Sequence, residues 1–192
     1  FMGMGEPLYN YDNVLNSLKI MVDGEGLSIS KRKITISTSG VVSSLEKLKN
    51  DLDVNLAVSL HAVENEVRDK LVPINRKWPI EKLIECLSDY SKITNSRRIT
   101  FEYIMLKNIN DSEEDAKKLA KILVNINSKI NLIPFNNWPG SKHTSSDLLV
   151  IERFKDIIYK ESSITVTIRG PRGSDIGAAC GQLKSEVLQK RI

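Results

Sequence analysis

Apolar residues along this chain follow two rhythms that take turns. Segments 33–37, 54–60, 99–106, 129–135 and 164–169 alternate apolar with polar or run as short β-branched stretches, and they read as strands. Segments 12–22, 41–49, 64–71, 79–93, 112–126 and 148–159 space apolar residues three and four apart and read as helices. Local signals punctuate them. Asp12 is a candidate N-cap for the first helix, Pro79 sits in the first turn of the fourth, and Asp111 or Ser112 caps the fifth with Glu114 near the capping-box position. At the start, Phe1-Met2-Gly3-Met4 reads as the tail of an apolar strand, so the chain is expected to be the C-terminal part of something longer.

Strands alternating with helices argue for βα units around a parallel sheet, open or barrel-like. The longest stretch without a predicted element, 136–147, exceeds a minimal connector and is a candidate functional loop. In such folds ligands bind at the carboxyl ends of the strands. Here those ends carry Gly5-Glu6-Pro7, Ser37-Thr38-Ser39-Gly40, Ser59-Leu60-His61 and Pro134-Phe135-Asn136. The set suits a polar ligand with an ammonium, a carboxylate and sugar hydroxyls. Glu6 would pair with the ammonium, Ser37 and Ser59 would bond a carboxylate or a ribose, and Asn136 would read a base edge. Each residue also has a plainer use: Glu6 as a turn residue, Ser-Thr-Ser-Gly as a helix cap, His61 as packing. What raises the set above those uses is that the strand ends all face one way.

The chain has 192 residues, one domain's worth, with 41% hydrophobic and 27% charged residues. No apolar run approaches membrane-spanning length. Two cysteines, Cys86 and Cys180, argue against a disulfide framework and for a reducing, cytoplasmic setting. No histidines or carboxylates stand at metal-ligand spacing, and there is no P-loop or G-x-G-x-x-G, which disfavours zinc, ATP and NAD sites of the usual kinds. Net charge is +4, with basic clusters at 31–33, 76–77 and 97–98 and at Arg169 with Arg172; Trp78 and Trp138 lie beside two loops. Cations and aromatics of this kind suit nucleic acid, and equally suit solvated faces. Arg169 and Arg172 are the better RNA-contact candidates, because Cys180 follows closely. Its neighbours Gly177, Ala178, Ala179 and Gly181 leave the thiol uncrowded, and nearby arginines favour the thiolate. The same stretch also fits a small-residue turn around a buried cysteine. Cys86, in Ile84-Glu85-Cys86-Leu87, reads as core.

Gly3-Met4-Gly5-Glu6-Pro7, Ser37-Thr38-Ser39-Gly40, Ser59-Leu60-His61, Asn131-Leu132-Ile133-Pro134-Phe135-Asn136 and Ala178-Ala179-Cys180-Gly181-Gln182-Leu183 together resemble the RlmN-type radical S-adenosylmethionine methyltransferases. The motifs run in order along the whole chain. The resemblance implies an α/β fold, the C-terminal portion of a partial (β/α)6, TIM-like barrel with a C-terminal extension. Residues 1–169 would be the barrel from its second strand onward, and residues 170–192 the segment carrying the methyl-carrier cysteine. It implies methylation of C2 of an adenine in 23S rRNA and tRNA. S-adenosylmethionine would be held by Gly5, Glu6, Ser37, Ser59, Leu60, His61 and Asn136, and Cys180 would carry the methyl group. In the family's mechanism that thiolate takes a methyl from one S-adenosylmethionine. A radical made from a second activates the methyl for addition to the base, and another cysteine frees the product through a disulfide.

The Cfr-type sister family, which methylates C8, typically has alanine after the Gly-Glu pair and Ser-Thr-Ile-Gly at the second strand. Pro7 and Ser39 therefore favour the C2 enzyme, while Gly177 stands where the family carries an acidic residue. The family's C-x3-C-x2-C motif for a [4Fe–4S] cluster, and its resolving cysteine, are not in this chain. The expectation is that an N-terminal region of the same protein supplies both, together with an RNA-binding domain, in a monomer with no membrane attachment. This chain alone would then be inactive: a fragment of the methyltransferase, or a remnant that at most binds S-adenosylmethionine or RNA.

Overall fold

The computed structural model describes residues 1–3, 5–93, 98–137 and 140–170. Strands β1 (Thr35–Thr38), β2 (Asn55–Ser59), β3 (Ile99–Met105), β4 (Ser128–Pro134) and β5 (Thr165–Ile168) form one sheet in that order. Every neighbouring pair is parallel. The helices are α1 (Tyr11–Val22), α2 (Val42–Asp51), α3 (Asn65–Leu71), α4 (Ile80–Ile93), α5 (Glu113–Leu123) and α6 (Leu148–Ser162). Sequential parallel order with helical crossovers is the open βα arrangement that the alternating rhythms imply. Among the described residues no helix is long and apolar enough to cross a membrane.

The two faces of the sheet differ. Ile36, Leu56, Val58, Phe101, Tyr103, Ile130 and Leu132 are buried on one face. The other carries Ser37, Ser59, Glu102 and Asn131, all half-buried, and exposed Thr167. Register keeps these polar residues together, because Ser59 pairs with Glu102, Glu102 with Asn131, and Asn131 with Thr167. Cys86 is 6% exposed in α4 and belongs to the core. Burial pushes its thiol pKa up to about 11, so it stays protonated and unreactive at neutral pH.

Boundaries differ from the sequence reading at several places. The described residues of the opening segment form no strand of their own. Among them Phe1 pairs with β1: its amine donates to Thr35 O at 2.7 Å and its carbonyl accepts from Ser37 N at 3.0 Å, the pattern of a parallel bridge opposite Ile36. Helix α1 is preceded by a 3₁₀ turn, Pro7–Asn10, and its N-cap is Asn10 rather than Asp12. The capping box of α5 closes between Ser112 and Asp115, not Glu114, since the reciprocal bond needs the third residue after the cap. Within the 136–147 stretch, Thr144 and Ser145 lie against the residues that follow β3: Lys107 N donates to Thr144 O at 2.9 Å, and Leu106 bridges Ser145.

Candidate functional site

At the carboxyl ends of β1 and β2 lies a cleft of about 560 Å³, lined among others by Gly5, Glu6, Ser37, Ser39 and Ser59. Four of the sequence candidates thus come together. Glu6 is held most tightly. Its Oε1 accepts from Leu8 N at 3.0 Å and from Thr38 Oγ1 at 3.0 Å. Its Oε2 accepts from both the N–H and the hydroxyl of Ser39 at 2.7 Å. The carboxylate therefore ties the turn after Gly5 to the end of β1. Gly40 takes φ +104°, and a Cβ there would stand 3.0 Å from Leu83 Cδ1, so this turn needs glycine for backbone and space alike.

His61 follows β2 in a left-handed conformation, φ 60°. Its Nδ1 accepts from Ile104 N at 3.2 Å, which leaves Nε2 to carry the proton. Burial, reinforced by the Arg68 guanidinium, pushes the imidazole pKa down to about 4, so the ring is a neutral donor at pH 7. Leu60 is fully buried, and its N–H is spent on Glu102 O at 3.0 Å. Asn136 lies half-buried just past the end of β4 and is not among the residues lining the cleft.

Sequence reasoning missed three residues that build this edge. Thr38, 2% exposed, bonds Glu6 and accepts from Gly40 N at 3.0 Å. Asn110, 1% exposed, donates to His61 O and Ile104 O at 2.7 Å and accepts from Leu106 N at 2.8 Å, pinning the end of β2 to β3. Arg68 is fully buried beneath the strand ends. A buried charge inside a charged helical run has no sequence signal.

The basic clusters separate by end of the sheet. Helix α4 must return from the carboxyl to the amino end, so Arg76, Lys77 and Trp78 before it lie at the site's end. Lys77 Nζ sits 4.5 Å from the Trp78 ring centroid. Arg169, exposed just past β5, is at the same end. Residues 31–33 and Arg98 precede strands and lie at the opposite end. Cys180 and Arg172 lie outside the described residues. A second cleft, about 580 Å³, lies beside Asp111, Glu113, Asp115 and Arg153; there Arg153 pairs with Glu113 at 2.6 Å, matching charge internally.

A parallel sheet with helices on one face, an open polar face, and donors and acceptors along its carboxyl edge defines a half-barrel α/β domain, of the kind whose ligands bind at the strand ends. Residues 1–120 match the family model described as the Radical SAM superfamily. That is more than half of the chain, and the chain belongs to this superfamily. It is 55% identical over 190 residues to the dual-specificity RNA methyltransferase RlmN of Jannaschia sp. (strain CCS1), covering 99% of this chain and 48% of that protein. Identity to the protein of the same name from Paracoccus denitrificans (strain Pd 1222) is also 55%, with 99% of this chain and 48% of that protein covered. The chain thus spans about half the length of the curated relatives it matches. A crystal structure of a radical SAM methyltransferase from Sphaerobacter thermophilus, 41% identical, superposes with a TM-score of 0.88 over 95% of this chain and 53% of that one. A domain of a pyruvate-formate lyase-activating enzyme from Bacteroides vulgatus, 16% identical, shares the fold with a TM-score of 0.66 over 88% of this chain and 100% of that one.

The superfamily implies S-adenosylmethionine and a [4Fe–4S] cluster. The described residues fit the first: the hydroxyls of Ser37, Ser39 and Ser59, the Glu6 carboxylate and the bare turn at Gly5 line one cleft. They do not fit the second. Cys86 is their only cysteine, buried in α4, and no group of three or more His, Cys, Asp or Glu among them could hold a metal ion.

Proposed function

We propose that this chain is the S-adenosylmethionine-binding part of an RNA methyltransferase acting on C2 of an adenine in 23S rRNA and tRNA. The observation that carries the reading is the 55% identity to RlmN over 99% of the chain, joined to the cleft that the same stretch builds at its strand ends.

Gly5 takes φ +86° with nothing within 4 Å of an added Cβ, so its peptide is open to the ligand's amino group. Glu6 supplies the negative field there while holding the turn. Ser37 and Ser59 offer hydroxyls on the open face to the ligand's carboxylate and ribose, and His61 adds a neutral donor. Asn136 reads the adenine edge. Leu60 sets the spacing between Ser59 and His61.

Cys180 receives the methyl group. Its thiolate attacks the sulfonium methyl carbon. A sulfur–carbon bond forms as the sulfonium–methyl bond breaks, and S-adenosylhomocysteine leaves as a neutral sulfide. A protein carrier suits the target, because the C2 carbon of adenine is too poor a nucleophile to take the methyl directly. Arg169 and Arg172 meet RNA phosphates. Arg76 and Lys77 beside Trp78 extend the basic rim on the same end. Cluster ligands lie outside this set of residues, so the chain by itself is read as a binding part and not a complete catalyst.

The test is equilibrium dialysis of labelled S-adenosylmethionine against the 192-residue chain. Saturable one-site binding is expected, displaced by S-adenosylhomocysteine. Glu6→Gln should weaken it by roughly 1.5–3 kcal/mol, since an amide nitrogen would face the Ser39 N–H and lose the charge. A folded chain with no saturable binding contradicts the reading.

A further inference from the structure

Arg68 reads from the sequence as one more charge on a short surface helix, Asn-Glu-Val-Arg-Asp-Lys-Leu. It is fully buried, and its guanidinium makes four hydrogen bonds. Nε donates to Leu60 O at 3.0 Å, and Nη2 to Ser39 O at 2.8 Å and Ser59 O at 3.0 Å. Nη1 donates to Asn75 Oδ1 at 3.0 Å. Among the described residues no carboxylate stands within ion-pair distance of it.

A buried charge without an ionic partner is costly, and apolar residues of similar volume commonly replace such groups with a gain in stability. Stability alone does not account for an arginine here. What the fork does is geometric. It gathers three carbonyls from the ends of two strands onto one rigid plane. The peptide of each carbonyl is also held through its N–H. Gly40 N donates to Thr38 Oγ1 at 3.0 Å, while Leu60 N and His61 N donate to Glu102 O at 3.0 and 3.4 Å. The peptides that follow Ser39 and Ser59 are therefore fixed from both sides. Asn75, 1% exposed, anchors the remaining arm by donating to Asp69 Oδ1 at 2.6 Å and Asn65 Oδ1 at 3.0 Å.

We propose that Arg68 is the positioning residue of the cleft: its guanidinium sets the separation of the Ser39 and Ser59 strand ends, and so the geometry presented to the ligand. This rests on the reading of the cleft as the S-adenosylmethionine site. Lysine cannot substitute, because one ammonium cannot span four acceptors spread over two strand ends and a turn.

Two variants of the full chain test this, Arg68→Lys, which keeps the charge, and Asn75→Ala, which frees one arm of the fork. Amide hydrogen exchange is read at Gly40, Leu60 and His61, and at Phe101 and Ile130 in the interior of the sheet. In Arg68→Lys the strand-end amides should exchange about tenfold faster, the scale of one lost charged hydrogen bond, while Phe101 and Ile130 hold their rates. Affinity for S-adenosylmethionine should fall about tenfold with them. Asn75→Ala should shift both readings the same way by a smaller factor. Uniform acceleration of all amides would mean a merely structural residue and overturn the proposal, as would unchanged strand-end exchange or undiminished affinity in Arg68→Lys. Absence of binding by the unaltered chain would sink the functional reading, and the exchange pattern would still decide the part of Arg68.

Discussion

The Glu6 carboxylate already accepts four hydrogen bonds from its own chain, so a ligand ammonium that reaches it must displace one. The Ser39 hydroxyl is the group free to rotate away, since its backbone N–H keeps the second bond to the same oxygen. His61 makes a ligand-free prediction at this scale. Its pKa is lowered from 6.5 to about 4 in the folded chain, so below pH 6.5 the unfolded state takes up a proton that the folded state refuses. Its contribution to stability is complete above about pH 6.5 and is lost as pH falls toward 4. Urea titrations across that window should show this loss, on the order of 3 kcal/mol at most, and His61→Gln should flatten it. An equal slope in the variant would show that the ring is not held neutral. Cys86, by contrast, was legible as core: its apolar neighbours at helical spacing already pointed there.

Helix α5 begins where the sequence says it should, because Ser112 closes a capping box that local chemistry dictates. Ser112→Ala should cost about 1 kcal/mol, seen as a lower urea midpoint with an unchanged slope. An unchanged midpoint would mean that the cap is redundant with packing of the helix. Strand and helix identity was legible from α1 to β5, since periodicity records which residues face the core, whereas the apolar opening segment was read as the tail of a strand and its described residues belong to none. Less legible were positions decided by neighbours distant in sequence. The start of α1 depends on a 3₁₀ turn running into it from Pro7. The polar row of Ser59, Glu102, Asn131 and Thr167 depends on register among four strands, which alternation within each cannot reveal. Arg68 and Asn110 act on strand ends eight and 49 residues away, through contacts that only the fold creates.

Among the described residues, the candidate functional groups gather at one end of the sheet. The carboxyl edge of the sheet carries the cleft, the Lys77–Trp78 stack and Arg169, while residues 31–33 and Arg98 lie at the other end. On the proposed function, this chain provides the cofactor-binding part of an adenine C2-methyltransferase with Cys180 as methyl carrier. Its most direct test puts the chain in place of the matching 190 residues of the Jannaschia enzyme, in cells lacking their own. Mass spectrometry of 23S rRNA nucleosides is the readout. The proposed function predicts 2-methyladenosine from the chimera and none from its Cys180→Ala variant. An 8-methyladenosine product, undiminished 2-methyladenosine in the variant, or a folded chimera that leaves the adenine unmodified would contradict it.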